Sequence, residues 1–85
     1  MFELKIDKKA GEELEKLPKE IRERIFIKLL QAKENPHHFF IRLEGRKDYK
    51  LRIGHYRVIA DINPEKEIIE VTKVGHRRHI YDNNG

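Results

Sequence analysis

The sequence predicts an α+β fold in which two helices cover one face of a sheet that contains an antiparallel three-stranded meander. Apolar and polar residues alternate near both ends of the chain, which is typical of strands with one solvated face. Between these regions, residues 7–35 repeat apolar positions at helical spacing. The resulting order is one strand, a helical hairpin and a three-stranded antiparallel meander, which favours helices on one side of a sheet. Because the chain has 85 residues, we assign residues 1–85 to a single domain.

Spacing and capping residues mark the N-terminal strand and the two helices. In MFELKI, apolar and charged residues alternate, as in a short strand. Asp7 is a suitable N-cap for a first helix, Pro18 suits the first turn of a second, and Asn35-Pro36 ends it. The outer faces of these helices are rich in charge. Solvation explains that charge, and a contact surface for RNA is the alternative.

The second half of the chain predicts three strands. YKLRI (Tyr49–Ile53) and YRVIADI (Tyr56–Ile62) flank the dipeptide Gly54-His55, which suits a two-residue type II′ hairpin. EIIEVTKV (Glu67–Val74) is the last strand. The segment between the helices and these three strands, HHFFIRLEGRKD (residues 37–48), is predicted to be irregular. Its apolar side chains, including Ile41, are expected to close the edge of the core. Its adjacent histidines are weak evidence for a metal, and we predict no metal site.

A two-residue hairpin loop fixes the register of its strands and therefore the positions of several cations. Ile53 is expected to face Tyr56, and Arg52 to face Arg57, with β carbons about 5 Å apart. Lys50 shares this polar face, while the apolar face carries the helices. Like charges directly opposite each other are unfavourable. Either a bound anion between them removes the conflict, or Glu70 on the next strand neutralises the pair.

The C-terminal stretch VGHRRHIYDNNG adds a second group of cations. The formal net charge is +4, and residues 71–81 contain three cations, two histidines and no acid. We expect Gly75 to permit a bend that carries the tail toward the rim of the polar face, and we expect residues 82–85 to be disordered. Local basic patches point to nucleic acid or to an acidic protein partner.

Composition excludes several other classes of protein. The chain has no cysteine, which excludes disulfides and thiolate metal sites and fits a reducing cytoplasm. No apolar run approaches the roughly 18 residues of a membrane span. The N-terminus lacks the apolar centre of a signal peptide, so we expect a cytoplasmic protein with no membrane association. Charged residues make up 40% of the chain, which resembles heat-adapted proteins and equally fits a very soluble mesophile domain.

Three segments together, RLEG, YKLRIGHYRVIADI and VGHRRHIY, resemble the RelE/ParE superfamily of toxin–antitoxin toxins. The resemblance covers nearly the whole chain. Within this superfamily, the sequence is most similar to RelE-type ribosome-dependent mRNA interferases. It implies an endoribonuclease that needs no metal or cofactor and cuts the mRNA codon in the ribosomal A site. It also implies a cognate acidic RelB-like antitoxin, contacts with ribosomal RNA of the 16S type, and operator DNA bound only through the antitoxin.

Carried over residue by residue, the resemblance implies two sets of site residues. The catalytic set is Lys50, Arg52, Arg57, Arg77, Tyr81 and His76. The RNA-binding set is Arg78, His79, Lys73, Lys47 and Arg46.

The chemistry of these side chains suits phosphoryl transfer, which depends on positioning and on charge stabilisation. The forked guanidinium groups of Arg52 and Arg57 suit phosphate oxygens, and Arg77 can stabilise the leaving oxygen. Lys50 among arginines is a candidate base. Tyr81 can stack on a base or move a proton, and His76 titrates in a useful range. Some relatives use a carboxylate base, for which Asp48 and Glu70 are the loosely placed candidates, so the proton carriers stay open.

Two further hypotheses belong to other classes of function. A ParE-type protein shares the fold and inhibits DNA gyrase without cutting RNA. A non-catalytic nucleic-acid-binding module would bind with steep salt dependence and cut nothing.

Overall fold

The computed structural model describes residues 2–80 and contains one five-stranded sheet. In chain order the elements are β1 (Glu3–Ile6), α1 (Lys8–Glu15), α2 (Lys19–Ala32), α3 (Pro36–Phe39), β2 (Ile41–Arg42), β3 (Tyr49–Ile53), β4 (Tyr56–Asn63) and β5 (Ile68–His76). The strand order is β1-β5-β4-β3-β2, with β1 parallel to β5 and the other pairs antiparallel. The predicted α+β order is confirmed. The short helix α3 and the edge strand β2 lie in the segment that was predicted to be irregular.

Local sequence signals place the helices. The side chain of Asp7 accepts a hydrogen bond from the backbone N–H of Ala10 at 2.8 Å, which caps α1 as predicted. Pro18 directly precedes the first residue of α2. Within residues 2–80 no helix is long and apolar enough to cross a membrane.

The main core lies between the helices and one face of the sheet, which we call the helix face. Leu51, Ile53, Val58 and Ala60 pack there against buried residues of α1 and α2, as the alternation predicted. The opposite side, which we call the outer face, has its own small buried cluster of Leu43, Ile59 and Ile80. The prediction that Ile41 closes the core edge is wrong, since its side chain is 54% exposed at the end of the edge strand.

The β3–β4 hairpin has the predicted register. Ile53 pairs with Tyr56 and Arg52 pairs with Arg57 across the loop Gly54-His55. Gly54 has φ of +58°, a backbone conformation that L side chains rarely adopt, and this explains the glycine. The positions of the strand cations follow from this register.

A β-bulge in β5 decides which tail residues reach which face. Ile59 pairs with Lys73 but Ala60 pairs with Val71, so Thr72 is the extra residue. After the bulge, Val74 faces the helices again while Lys73 and Gly75 lie on the outer face. Without Thr72 as an extra residue, strand alternation would put Val74 on the outer face and Lys73 and Gly75 on the helix face.

The predicted bend at Gly75 is wrong, because β5 continues through this residue to His76. The chain turns one step later, where His79 and Ile80 donate backbone hydrogen bonds to the carbonyl of His76 at 2.8 and 3.2 Å. Ile80 then folds back over the outer face. A Cβ at position 75 would lie 3.4 Å from Ile80 Cγ1, which is an ordinary van der Waals contact, so the packing of Ile80 does not by itself require glycine here.

Candidate nucleic-acid interface

Cations from three strands meet on the outer face. Arg52 and Arg57 are direct cross-strand partners. In the neighbouring row, Ile59 pairs with Lys50 on one side and with Lys73 on the other. Neighbouring strands lie about 4.8 Å apart, so the Cα atoms of the two lysines are separated by roughly 10 Å. The structure therefore brings Lys50, Arg52, Arg57 and Lys73 onto one surface.

These cations lie at two depths. Lys50 is 1% exposed and Arg57 is 5% exposed, whereas Arg52 is exposed. Arg57 Nη1 donates hydrogen bonds to the carbonyl oxygens of Gly54 and Tyr56, both at 3.0 Å. Two of the four strand cations are therefore buried beneath the outer face. Lys50 pairs directly with Ile59, which belongs to the buried outer-face cluster. Strand alternation alone gave the face of Lys50 but not its burial.

The alternative in which Glu70 neutralises the arginine pair is wrong. Gly75 is the β5 residue opposite Arg57, and Glu70 pairs with Asp61. Asp61 lies four residues beyond Arg57 on β4, which separates the two rows by roughly 13 Å. Glu70 is also too far along the strand to serve as a base beside these arginines.

Asp48 is the carboxylate that the structure places near the cations. The N–H of Leu43 donates to the carbonyl of Asp48 at 3.1 Å, so the β2–β3 ladder continues to this residue. Strand alternation then puts Asp48 on the outer face, two residues from Lys50. Its Oδ2 accepts a hydrogen bond from Arg46 at 2.6 Å. Its Oδ1 is buried without a hydrogen-bond partner among residues 2–80 and is a candidate proton acceptor.

Arg46 and Lys47 lie in the exposed loop before β3. This loop is at the opposite end of β3 from Gly54-His55, roughly 20 Å away along the strand. A bound RNA would have to extend along the outer face to contact both ends.

Arg77 continues the sheet at the other end. Its backbone N–H donates to the carbonyl of His55 at 2.8 Å, which extends the β4–β5 ladder by one residue. Alternation after Gly75 assigns Arg77 to the outer face, and its side chain is exposed. The predicted convergence of Arg77 with Arg52 and Arg57 therefore has a structural basis in the ladder.

The other tail residues do not join this surface. His76 pairs with Tyr56, which packs against the core on the helix face. Together with Arg78 and His79 it lines a groove beside Glu13 and Leu17. The expectation that the whole basic tail meets one face is wrong, because strand alternation sends neighbouring residues to opposite sides and the bulge decides which side each of them takes.

His76 is held in a defined state. Its Nδ1 accepts the backbone N–H of Arg78 at 3.1 Å, which requires a ring nitrogen without a proton. Partial burial, followed by the charges of Arg78, His55, His79 and Arg77, lowers the pKa of His76 below its usual value. The neutral imidazole is therefore favoured at neutral pH.

Tyr81 and the tail after it lie outside the described residues, so the role assigned to Tyr81 stays a prediction. Sequence reasoning missed His55, whose neighbours become clear only when β5 is placed next to β4.

Among residues 2–80 no group of three or more His, Asp or Glu side chains is arranged to hold a metal ion.

Comparisons with known proteins agree with one another. Residues 4–81 match the family model described as the ParE toxin of the type II toxin–antitoxin system parDE. A RelE-like toxin protein of Escherichia coli is 34% identical over 79 residues, which cover 89% of this chain and 83% of that protein.

Solved structures show the same fold. The RelE–RelB complex of Pyrococcus horikoshii matches with TM-score 0.77 and 29% identity, covering 93% of this chain and 98% of that chain. The intact RelBE toxin–antitoxin complex of Escherichia coli matches with TM-score 0.78 and 28% identity, covering 89% and 96%. The chain therefore belongs to the RelE/ParE superfamily of type II toxin–antitoxin toxins.

Proposed function

We propose that this toxin is a ribosome-dependent mRNA endoribonuclease of the RelE type. The observation that carries the proposal is the pairing of Arg52 with Arg57, with Lys50 and Lys73 in the adjacent row. Like charges placed directly opposite each other are unfavourable unless an anion lies between or above them. An RNA phosphate is an anion of suitable charge and geometry for arginine forks.

The reaction is an internal phosphoryl transfer. The ribose 2′-oxygen attacks the adjacent phosphorus, the bond from phosphorus to the 5′-oxygen breaks, and the products are a 2′,3′-cyclic phosphate and a 5′-hydroxyl. One group must accept the proton of the 2′-hydroxyl, and the departing 5′-oxygen must receive a proton. Charge stabilisation of the phosphoryl oxygens supplies most of the catalysis in such a site.

The four cations differ in burial and therefore in how they can act on a phosphate. Arg52 and Arg77 are exposed and can contact a phosphate directly. Lys50 and Arg57 are buried and supply positive charge from beneath, in a low-dielectric region where it acts strongly. Arg57 also fixes the carbonyls of the hairpin loop. Asp48 Oδ1 is the candidate proton acceptor, because Lys50 in its charged form has no lone pair to take up a proton. Tyr81 keeps its proposed role in stacking or proton transfer.

A ribosome assay tests this proposal. Ribosomes programmed with a defined mRNA are incubated with the purified chain, and cleavage in the A site is read by primer extension. We expect Arg52→Ala and Arg77→Ala to lower the rate at least 100-fold, because each removes a charge that stabilises the transition state. Arg22→Ala on α2 is the matched control and should cleave like the wild type. Intact mRNA with wild-type protein would refute the enzyme proposal.

The match to the ParE family model supports a second candidate function, inhibition of DNA gyrase. A supercoiling assay with purified gyrase distinguishes the two. Inhibition of supercoiling together with intact A-site mRNA would favour this candidate. Salt-dependent binding to RNA without either activity would leave a plain nucleic-acid-binding module.

The partner that we propose is an acidic antitoxin, as in the RelB complexes of the structural relatives. On α2, Phe26, Ile27 and Leu30 are 47%, 58% and 43% exposed, and charged residues surround them. An amphipathic antitoxin helix would bury these side chains, while its carboxylates approach the basic outer face. Operator DNA would then be bound through the antitoxin.

A binding measurement tests this surface. Ile27→Glu should weaken the antitoxin complex at least tenfold by calorimetry; because Ile27 and Arg52 line the same groove, affinity rather than cleavage is the readout. Gln31→Glu introduces the same charge one turn away without removing an apolar contact, and it should bind normally. Equal affinity of all three proteins would remove α2 from the interface.

A further inference from the structure

Four rings surround the tip of the β3–β4 hairpin. His76 is their centre, and its ring centroid lies 6.1 Å from His55, 5.3 Å from Tyr56 and 6.2 Å from His79. The rings of His55 and His76 are nearly parallel, at 17°, and Tyr56 meets His76 edge-on at 77°. We call these four residues the ring cluster. Neither RNA-binding nor catalytic reasoning from the sequence assigned a role to His55 or Tyr56.

The ring cluster is built to hold one orientation. The hydrogen bond from Arg78 N–H to Nδ1 fixes the plane of His76. Tyr56 is anchored against the core, and His55 is tied to the tail through its carbonyl, which accepts the N–H of Arg77. These contacts hold the rings of His76 and Tyr56 and the backbone of His55 before a ligand arrives, which reduces the conformational freedom lost on binding.

The cluster opens into a groove of about 490 Å³ that is lined by apolar and cationic side chains and by Glu13, whose Oε1 already accepts the backbone N–H of Val74. Leu17 and Val74 provide apolar surface, and Lys16 and Arg78 provide positive charge. This volume falls within the usual range of small-ligand sites. A flat aromatic ligand attached to a negatively charged chain matches these surfaces, and a base of single-stranded RNA is such a ligand.

The ring cluster is continuous with the cations of the outer face. The loop Gly54-His55 links the two surfaces, since its carbonyls accept hydrogen bonds from the Arg57 side chain and the Arg77 backbone of the outer face, while the His55 ring belongs to the cluster. An RNA strand whose phosphate contacts Arg52 and Arg77 therefore lies next to this tip. Proteins that recognise single-stranded RNA commonly stack bases on aromatic side chains, including histidine.

We propose that the ring cluster binds one base of the substrate RNA by stacking, next to the phosphate held at the hairpin tip. This inference rests on the proposed function in taking RNA as the substrate. It gives His76 a positioning role in place of the acid–base role that the family resemblance implied.

A binding experiment with a non-cleavable probe tests the inference. The purified chain is titrated into a fluorescent single-stranded RNA with 2′-O-methyl riboses, and affinity is measured by anisotropy. His55→Ala and His76→Ala should each weaken binding about tenfold, the usual effect of losing one base–ring stack. His76→Phe keeps a flat ring and should bind within about twofold of the wild type. His38→Ala, in the exposed helix α3, is the matched control.

Two further measurements separate stacking from charge. The slope of affinity against salt should be unchanged in His55→Ala, whereas Arg52→Ala should reduce it by about one. In a further series of probes, each probe lacks the base at a different position. Loss of the base at one of these positions should weaken wild-type binding about tenfold and leave the affinity of His76→Ala almost unchanged. Thermal unfolding of each variant checks that the substitutions at exposed His55 and half-buried His76 leave the fold intact.

Several results would overturn the inference. The first is that the wild type does not bind the probe, and the second is that His55→Ala and His76→Ala bind it normally. The third is that His76→Phe binds as weakly as His76→Ala. The fourth is that the histidine substitutions change the affinity for the antitoxin but not for RNA. Failure of the proposed function looks different. If the rings support probe binding but A-site mRNA stays intact, the base site stands and the nuclease proposal falls.

Discussion

Glu13 connects α1 to the strand that delivers the tail, and its removal should destabilise the fold measurably. Its Oε1 accepts the backbone N–H of Val74 at 3.0 Å, across 61 residues of sequence and two positions after the bulge. A half-buried hydrogen bond to a charged group contributes roughly 1.5–3 kcal/mol. We therefore expect Glu13→Ala to lower the free energy of unfolding by about 2 kcal/mol. In a domain of this size, that corresponds to a Tm lower by about 8–16 °C.

Two companion variants isolate the hydrogen bond from other effects of the substitution. Glu12→Ala, one residue earlier on the exposed side of α1, has the same change in helix propensity and in net charge. It should change stability by less than about 0.5 kcal/mol. Glu13→Gln keeps an acceptor oxygen without the charge and should recover about half of the loss.

Urea denaturation of the four proteins at neutral pH is the assay, with the slope of the transition checked for two-state behaviour. If Glu13→Ala and Glu12→Ala agree within about 0.5 kcal/mol, the bond to Val74 does not stabilise the fold. If Glu13→Gln is as unstable as Glu13→Ala, helix–sheet contact requires the charge itself and the hydrogen-bond explanation is incorrect.

Other substitutions address the hairpin and its cations. Gly54→Ala should lose about 1–2 kcal/mol in urea denaturation, since φ is +58°, and Gly54→Asn should lose less. Arg57→Ala should lose about 2–3 kcal/mol because two carbonyls lose their donor, whereas exposed Arg52→Ala should stay within about 0.5 kcal/mol; equal losses would contradict the burial of Arg57. Wild-type stability should fall as pH drops below the ordinary His76 pKa of 6.5, because the folded state binds this proton less readily than the unfolded chain. In His76→Asn, whose side-chain oxygen can still accept the Arg78 N–H, the difference in stability between about pH 8 and about pH 5 should be smaller.

The sequence was sufficient for features that depend on local periodicity. Alternation and the two-residue loop gave the β3–β4 register, and Asp7 and Pro18 gave the helix starts, all of which agree with the structure. The short strand β2 was not predicted, because two residues carry no periodic signal. Its pairing with β3 requires contacts that only the folded chain provides.

The bulge in β5 caused the largest error about the site. One extra residue reverses the face of every later side chain, and Thr72 has no feature in the sequence that marks it as that residue. The tail was predicted to bend at Gly75 toward one face, whereas β5 continues through this residue and His76 and Arg78 lie on the helix side. Alternation also gives the face of a side chain but not its depth, so the burial of Lys50 was missed.

Depth changes how substitutions of the cations must be interpreted. Alanine at Arg57 removes the donor of two buried hydrogen bonds, and alanine at Lys50 empties a position that is 1% exposed, so either change alters folding together with any contact to RNA. Arg52 has the same charge on the same face, but its side chain reaches solvent. Loss of cleavage in Arg52→Ala, at unchanged stability, therefore reports on phosphate contact directly. Loss of cleavage in Arg57→Ala carries the same meaning only when its unfolding free energy has been measured beside it.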